Sequence, residues 1–117
     1  MTLIADGHAD IAFNMLNYGR DYTRSAEETR RLEVGSRTVV ENGDSLIGWP
    51  DYQRGNVAII FSTLFASPIR FKSSEFETQV YKNFDEAHKL YREQLMTYHH
   101  MTDSIPDKFR MIASSTD

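Results

Sequence analysis

The residues with the most chemistry to offer lie at the start of the chain, in Asp6-Gly7-His8-Ala9-Asp10. An imidazole and a carboxylate two positions apart share one side of an extended backbone. Both are ligands for a divalent cation such as zinc, at about 2.0–2.2 Å. Gly7 between them would admit close approach of a neighbouring backbone or of a metal and its ligands. Residue type alone leaves a second reading open, an ordinary hydrogen-bonded histidine–carboxylate pair. The chain has no cysteine, so thiolate zinc sites, disulfides and a cysteine nucleophile are excluded, and any metal must be held by imidazole and carboxylate.

Other groups with chemical potential read as structural. His88, His99 and His100 contain no i, i+4 pair, and adjacent helical residues project about 100° apart. Tyr81, Tyr91 and Tyr98 fall at helical spacing and read as packing residues. Ser62 and Thr63 lack a histidine with any sequence signature of a nucleophile's base. Glu27, Glu28, Arg30 and Arg31 form a solvated helix face. No glycine-rich phosphate loop is present.

The elements that must position His8 and Asp10 are legible in outline. Leu3-Ile4-Ala5 is a short apolar run stopping at Asp6-Gly7, which suits a buried first strand. Ile11 to Tyr18, closed by Gly19, suits a short helix, and Ser25-x-x-Glu28 is a capping box for a second, with Gly35 beyond its end. Residues 36–48 fit either a small hairpin around Asn42-Gly43 or an irregular loop. Trp49 to Gly55 places proline at the start and glycine after the end of a single helical turn, with Trp49 anchoring it. Val57 to Phe65 is near-continuously apolar and is expected to be a strand covered on both faces. From Ser74, with Glu77 three residues on, a long helix is expected to about Met101, packing through Phe76, Val80, Phe84, Ala87, Tyr91 and Tyr98. Phe109 to Ala113 reads as the start of a third strand. Strand, insertion, strand, helix, strand is the order of parallel crossover units.

A formal net charge of −4 on 117 residues offers no basic stripe, so nucleic acid is not an expected partner. No run approaches the ~20 apolar residues that span a bilayer, and the opening lacks a basic, apolar leader, so no membrane association is expected and a cytoplasmic location is the default.

Two passages together resemble a known family. Asp6-Gly7-His8-Ala9-Asp10-Ile11 is similar to the opening signature of the renal (membrane) dipeptidase family, a branch of the amidohydrolase superfamily in which Asp replaces the second histidine of the commoner His-x-His. Trp49 to Val57, leading into Ala58 to Phe65, resembles the passage into that family's second strand, with Gln53 and Asn56 departing from the commonest pattern. The resemblance covers approximately residues 3–67. It implies that residues 1–117 are the N-terminal part of a (β/α)8 TIM-type barrel with parallel strands and crossover helices. It also implies that His8 and Asp10 are ligands of one Zn2+ of a two-zinc centre, with Phe13 lining a substrate pocket. The family's bridging glutamate and two later histidines have no counterpart in this sequence. The implied activity is hydrolysis of a dipeptide by a metal-activated water, in an enzyme that forms a homodimer. The alternatives are a binding or assembly domain that kept part of the motif, and an amidohydrolase acting on a small amide or lactone.

Overall fold

A computed structural model describes residues 1–117. Its organising feature is a parallel pair, β1 (Ile4–Ala9) against β2 (Val57–Ser62), with Ile4 opposite Val57, Asp6 opposite Ile60 and Ala9 opposite Ser62. The pairing extends past β2, because the Thr63 amide donates to the Ala9 carbonyl at 3.0 Å. Parallel strands need a crossover. Here it is made of four helices, α1 (Ile11–Tyr18), α2 (Ala26–Glu33), α3 (Arg37–Asn42) and α4 (Trp49–Arg54).

Local chemistry sets the helix ends. α1 stops at Gly19, whose φ of 68° is the left-handed conformation that glycine takes without penalty. α2 starts where the Ser25 hydroxyl accepts from the Glu28 amide at 3.1 Å. The Asp51 carboxylate ties two helix starts together, since one oxygen accepts from the Gly48 amide at 2.9 Å and from the Ala26 amide at 2.7 Å. Gly48 is required by proximity: a Cβ there would stand 1.7 Å from the Arg24 carbonyl oxygen. Arg20 and Glu33 form a largely buried two-bond pair at 3.0 Å each, and Arg20 also donates to the Gly43 carbonyl at 2.8 Å, which fixes α2 and the end of α3 to the turn after α1.

After β2 come two two-residue strands, β3 (Ser67–Pro68) and β4 (Val80–Tyr81), paired with each other in a separate sheet, and then α5 (Phe84–Ser104). Buried or half-buried residues of α5 recur at Ala87, Leu90, Tyr91, Gln94, Thr97, Tyr98 and Met101, the three-and-four spacing of one helix face. Tyr98 and Met101 join Ala9, Ile11, Ala12, Tyr52 and Phe109 in the core cluster. No helix is long and apolar enough to cross a membrane.

The architecture differs from the barrel segment expected from the sequence. A barrel start would string consecutive parallel strands into one sheet, whereas the chain forms two separate two-stranded sheets and no third strand at residues 109–113. The reason lies in that segment's donors and side chains. The Phe109 amide donates back to the Ile105 carbonyl at 3.1 Å, and the Ala113 and Ser114 amides are taken by the Asp117 carboxylate at 2.7 and 2.8 Å. Phe109 itself turns into the core, edge-on to Tyr52 with ring centres 6.5 Å apart.

Three further expectations are corrected. Neither β1 nor β2 is buried on both faces, Ile4, Ile59 and Phe61 being exposed, because only one sheet neighbour and one side of helices meet them. Residues 37–42 are helical rather than hairpin or loop. The long helix starts nine residues late. Ser74 caps nothing longer than a turn, its hydroxyl accepting from the Phe76 amide, while the true start is Asn83, whose side chain accepts from the Glu86 amide at 2.9 Å as Glu86 accepts from the Lys82 amide at 2.7 Å. Phe84, expected on the packing face, is almost fully exposed.

Candidate metal-ligand pair at the end of the first strand

His8 and Asp10 leave the end of β1 on the same side, as the two-residue spacing requires. His8 Nε2 stands 3.3 Å from each of the two Asp10 carboxylate oxygens. The His8 side chain is 71% exposed and that of Asp10 36%. An ion pair so exposed contributes at most about 1 kcal/mol, so the fold does not depend on it. The backbone that carries them is also tied: the His8 amide donates to Asp6 Oδ1 at 3.1 Å, and the Asn14 side chain donates to the Asp10 carbonyl at 2.8 Å.

The other oxygen of Asp10 is engaged. Oδ1 accepts a hydrogen bond from the Thr63 hydroxyl. The Thr63 carbonyl in turn accepts from the Tyr98 hydroxyl at 2.7 Å, and that same hydroxyl accepts from the Ala12 amide at 3.1 Å. Tyr98 therefore bolts the strand end after β2 to the first turn of α1, with Asp10 between them. Burial pushes the Tyr98 phenol above its ordinary range, with the Asp10 charge adding to the effect. Burial likewise raises Tyr22, to about 12. Tyr52, its hydroxyl buried without a hydrogen-bond partner, is raised by burial and by the nearby Asp6 carboxylate. Tyr22 and Tyr98 thus lie close enough to Asp10 to feel its charge.

The donor set fits one edge of a zinc site. Ligand atoms at about 2.0–2.1 Å from a tetrahedral zinc stand roughly 3.3–3.4 Å apart, and His8 Nε2 and Asp10 Oδ2 are 3.3 Å apart. It fits no more than an edge, because no group of three or more histidine or carboxylate side chains is placed to hold a metal ion.

Phe13 lies one turn into α1, buried, with its ring edge-on to Phe65 at 5.2 Å and to Tyr18 at 6.1 Å. Gly7 has no chain atom within 4 Å of where a Cβ would be, so no neighbouring backbone explains it. His88, His99 and His100 are exposed along α5 and are not brought to the pair. Trp49 anchors its turn as expected, its indole donating to the Lys108 carbonyl at 3.1 Å.

Sequence reasoning missed Thr63 and Tyr98 as neighbours of the pair. In the sequence Thr63 reads only as a nucleophile without a base and Tyr98 only as packing. The available signal was that parallel pairing of the two apolar runs sets their ends side by side, which brings the residue after β2 level with Asp10. Gln94 was also invisible, being polar in the middle of an apolar helix face. It is fully buried and treats Phe65 as a strand partner would: its Oε1 accepts from the Phe65 amide at 2.8 Å and its Nε2 donates to the Phe65 carbonyl and to Gln79 Oε1.

Comparisons of the chain with protein-family models, with curated proteins and with solved structures gave no match.

Proposed function

We propose that this chain contributes half of a zinc site to a metal-dependent hydrolase of dipeptidase type, with His8 and Asp10 as the ligands it supplies. The observation that carries the reading is the 3.3 Å convergence of His8 Nε2 and Asp10 Oδ2 at a strand end, on residues whose surrounding sequence resembles the renal dipeptidase signature. Zinc held there would act as a Lewis acid toward a scissile carbonyl and a water. The chain's own part is to hold the two donors. His8 serves as a neutral ligand through Nε2, its exposure leaving the ring open to the solvent side. Asp10 presents Oδ2 while Thr63 occupies Oδ1. Phe13 is buried against Phe65 and Tyr18, and its part in a dipeptide pocket rests on the resemblance alone. The remaining ligands would come from outside residues 1–117, and a cytoplasmic setting and a homodimer belong to the same proposal.

Protein made from the complete coding region, stripped of metal and reconstituted with zinc, tests this on a panel of dipeptides. Zinc-dependent hydrolysis that His8→Ala abolishes together with tight zinc binding is the expected outcome. Unchanged zinc content in His8→Ala refutes the assignment.

One observation favours the assembly reading instead. Ile59, Phe61, Met111 and Ile112 are exposed beside an open groove between β2 and the C-terminal segment, an apolar surface of the kind that can mark an interaction site. Reconstitution with zinc separates the two, since an assembly domain stays inactive on dipeptides whatever its state of association.

A further inference from the structure

Thr63 is a residue to which neither composition nor motif assigns a role, yet three of its groups converge on the candidate site. Its amide donates to the Ala9 carbonyl at 3.0 Å, its hydroxyl donates to Asp10 Oδ1, and its carbonyl accepts from the Tyr98 hydroxyl at 2.7 Å. The hydroxyl also lies 3.3 Å from the Ala9 carbonyl. It has one proton to give, and the carboxylate is the stronger acceptor, because a bond to an ionised oxygen is roughly twice as strong as one to a neutral carbonyl. The Asp10 side chain is thereby held by one oxygen.

We infer that Thr63 is a positioning residue for metal binding: by holding Asp10 Oδ1 it fixes the carboxylate, both of whose oxygens stand 3.3 Å from His8 Nε2, and leaves Oδ2 free to meet the cation beside the imidazole. This rests on the reading of His8 and Asp10 as zinc ligands. A free aspartate samples several side-chain rotamers and must give up that freedom on binding. Thr63 removes the cost in advance. It does so from the position just after β2, across from the strand that carries the ligands, and its own position is fixed by Tyr98 from α5. The donor geometry is therefore written into the parallel pairing of β1 with β2 and into the packing of α5, rather than into the His-x-Asp sequence alone. Thr63 touches neither the cation nor a substrate in this scheme. Its effect passes through Asp10.

Partners that orient a metal ligand are commonly worth about 10–100-fold in metal affinity. The test is a zinc titration of the 117-residue chain followed through the His8 imidazole resonances, which separates this site from weak binding at the exposed His88, His99 and His100. Thr63→Val removes the hydroxyl at nearly constant volume, Thr63→Ala removes it without any risk of overpacking, and Thr63→Ser retains it. Zinc affinity at His8 is expected to fall about tenfold or more in the valine and alanine variants and to stay within about threefold of the parent in the serine variant. Asp10→Asn is the reference for losing the ligand itself. If Asp10→Asn weakens binding and Thr63→Val and Thr63→Ala do not, the positioning role is wrong while the ligand assignment stands. If Asp10→Asn leaves the His8 titration unchanged, the zinc reading fails and the role of Thr63 falls with it. A serine variant as weak as the valine variant also overturns the inference, because packing rather than the hydroxyl would then set the affinity.

Discussion

Replacing Gln94 by leucine probes the joint on which the candidate site depends. Gln94 is fully buried in α5, and its amide satisfies the Phe65 amide, the Phe65 carbonyl and Gln79 Oε1. Leucine matches its volume and satisfies none of them. Three net hydrogen bonds are worth about 1 kcal/mol each. Phe65 is 43% exposed, so its backbone regains water in the variant, whereas Gln79, 5% exposed, is left with a buried oxygen unpaired at a further cost of about 1–3 kcal/mol. The added apolar contact of leucine returns about 1 kcal/mol. The net expectation is a loss of about 3–5 kcal/mol in urea unfolding, a large share of the roughly 6–18 kcal/mol expected of a chain this long. Hydrogen exchange at the Phe65 amide supplies the local readout and should rise sharply even under strongly native conditions. The double variant Gln79→Leu/Gln94→Leu should be less destabilised than the sum of the single variants, because it also removes the stranded Gln79 amide. A loss below about 1 kcal/mol with an unchanged Phe65 exchange rate would show that the Gln94 bridge is not what holds the segment after β2.

Two other perturbations follow from the same kind of accounting. Gly48→Ala places a Cβ 1.7 Å from the Arg24 carbonyl oxygen beside the Trp49-to-Tyr22 backbone bond of 2.8 Å; since φ and ψ of −145° and −176° suit alanine, the cost is steric, about 2–4 kcal/mol, whereas Gly7→Ala, with nothing within 4 Å, should leave the thermal midpoint almost unchanged. In alkali, Tyr22, held at about 12, and Tyr52 and Tyr98, also raised by burial, keep their protons in the folded chain past the ordinary tyrosine value of about 10; the stability this gives is complete below about pH 10 and is lost as pH climbs toward 12, so tyrosinate absorbance from these residues should rise together with the loss of helical circular dichroism, and ionisation of all the tyrosines with helicity intact would contradict it.

What the sequence revealed and what it concealed divide along a physical line. Elements set by local chemistry were legible: the Gly19 stop of α1, the Ser25 start of α2 and the proline-led turn of α4 each depend on residues within four positions of one another. The apolar runs at Ile4 and Val57 were recognisable as strands for the same reason. Features set by competition between distant groups were not. Phe109 to Ala113 has the composition of a strand, but Phe109 gains more by entering the core against Tyr52, and the Asp117 carboxylate takes the amides that a ladder would use. Ser74-x-x-Glu77 has the form of a capping box, but Glu77 accepts from the Ser73 amide and hydroxyl instead, and the helix waits for Asn83. The candidate site shows both cases at once. His8 and Asp10 converge through spacing within one strand, which a sequence displays directly. Thr63 reaches Asp10 across 53 positions and is itself held by Tyr98 from 35 positions further on. A motif search can therefore find the ligands of such a site, but the residues that aim them appear only when the two strands are paired and the helix is laid against them.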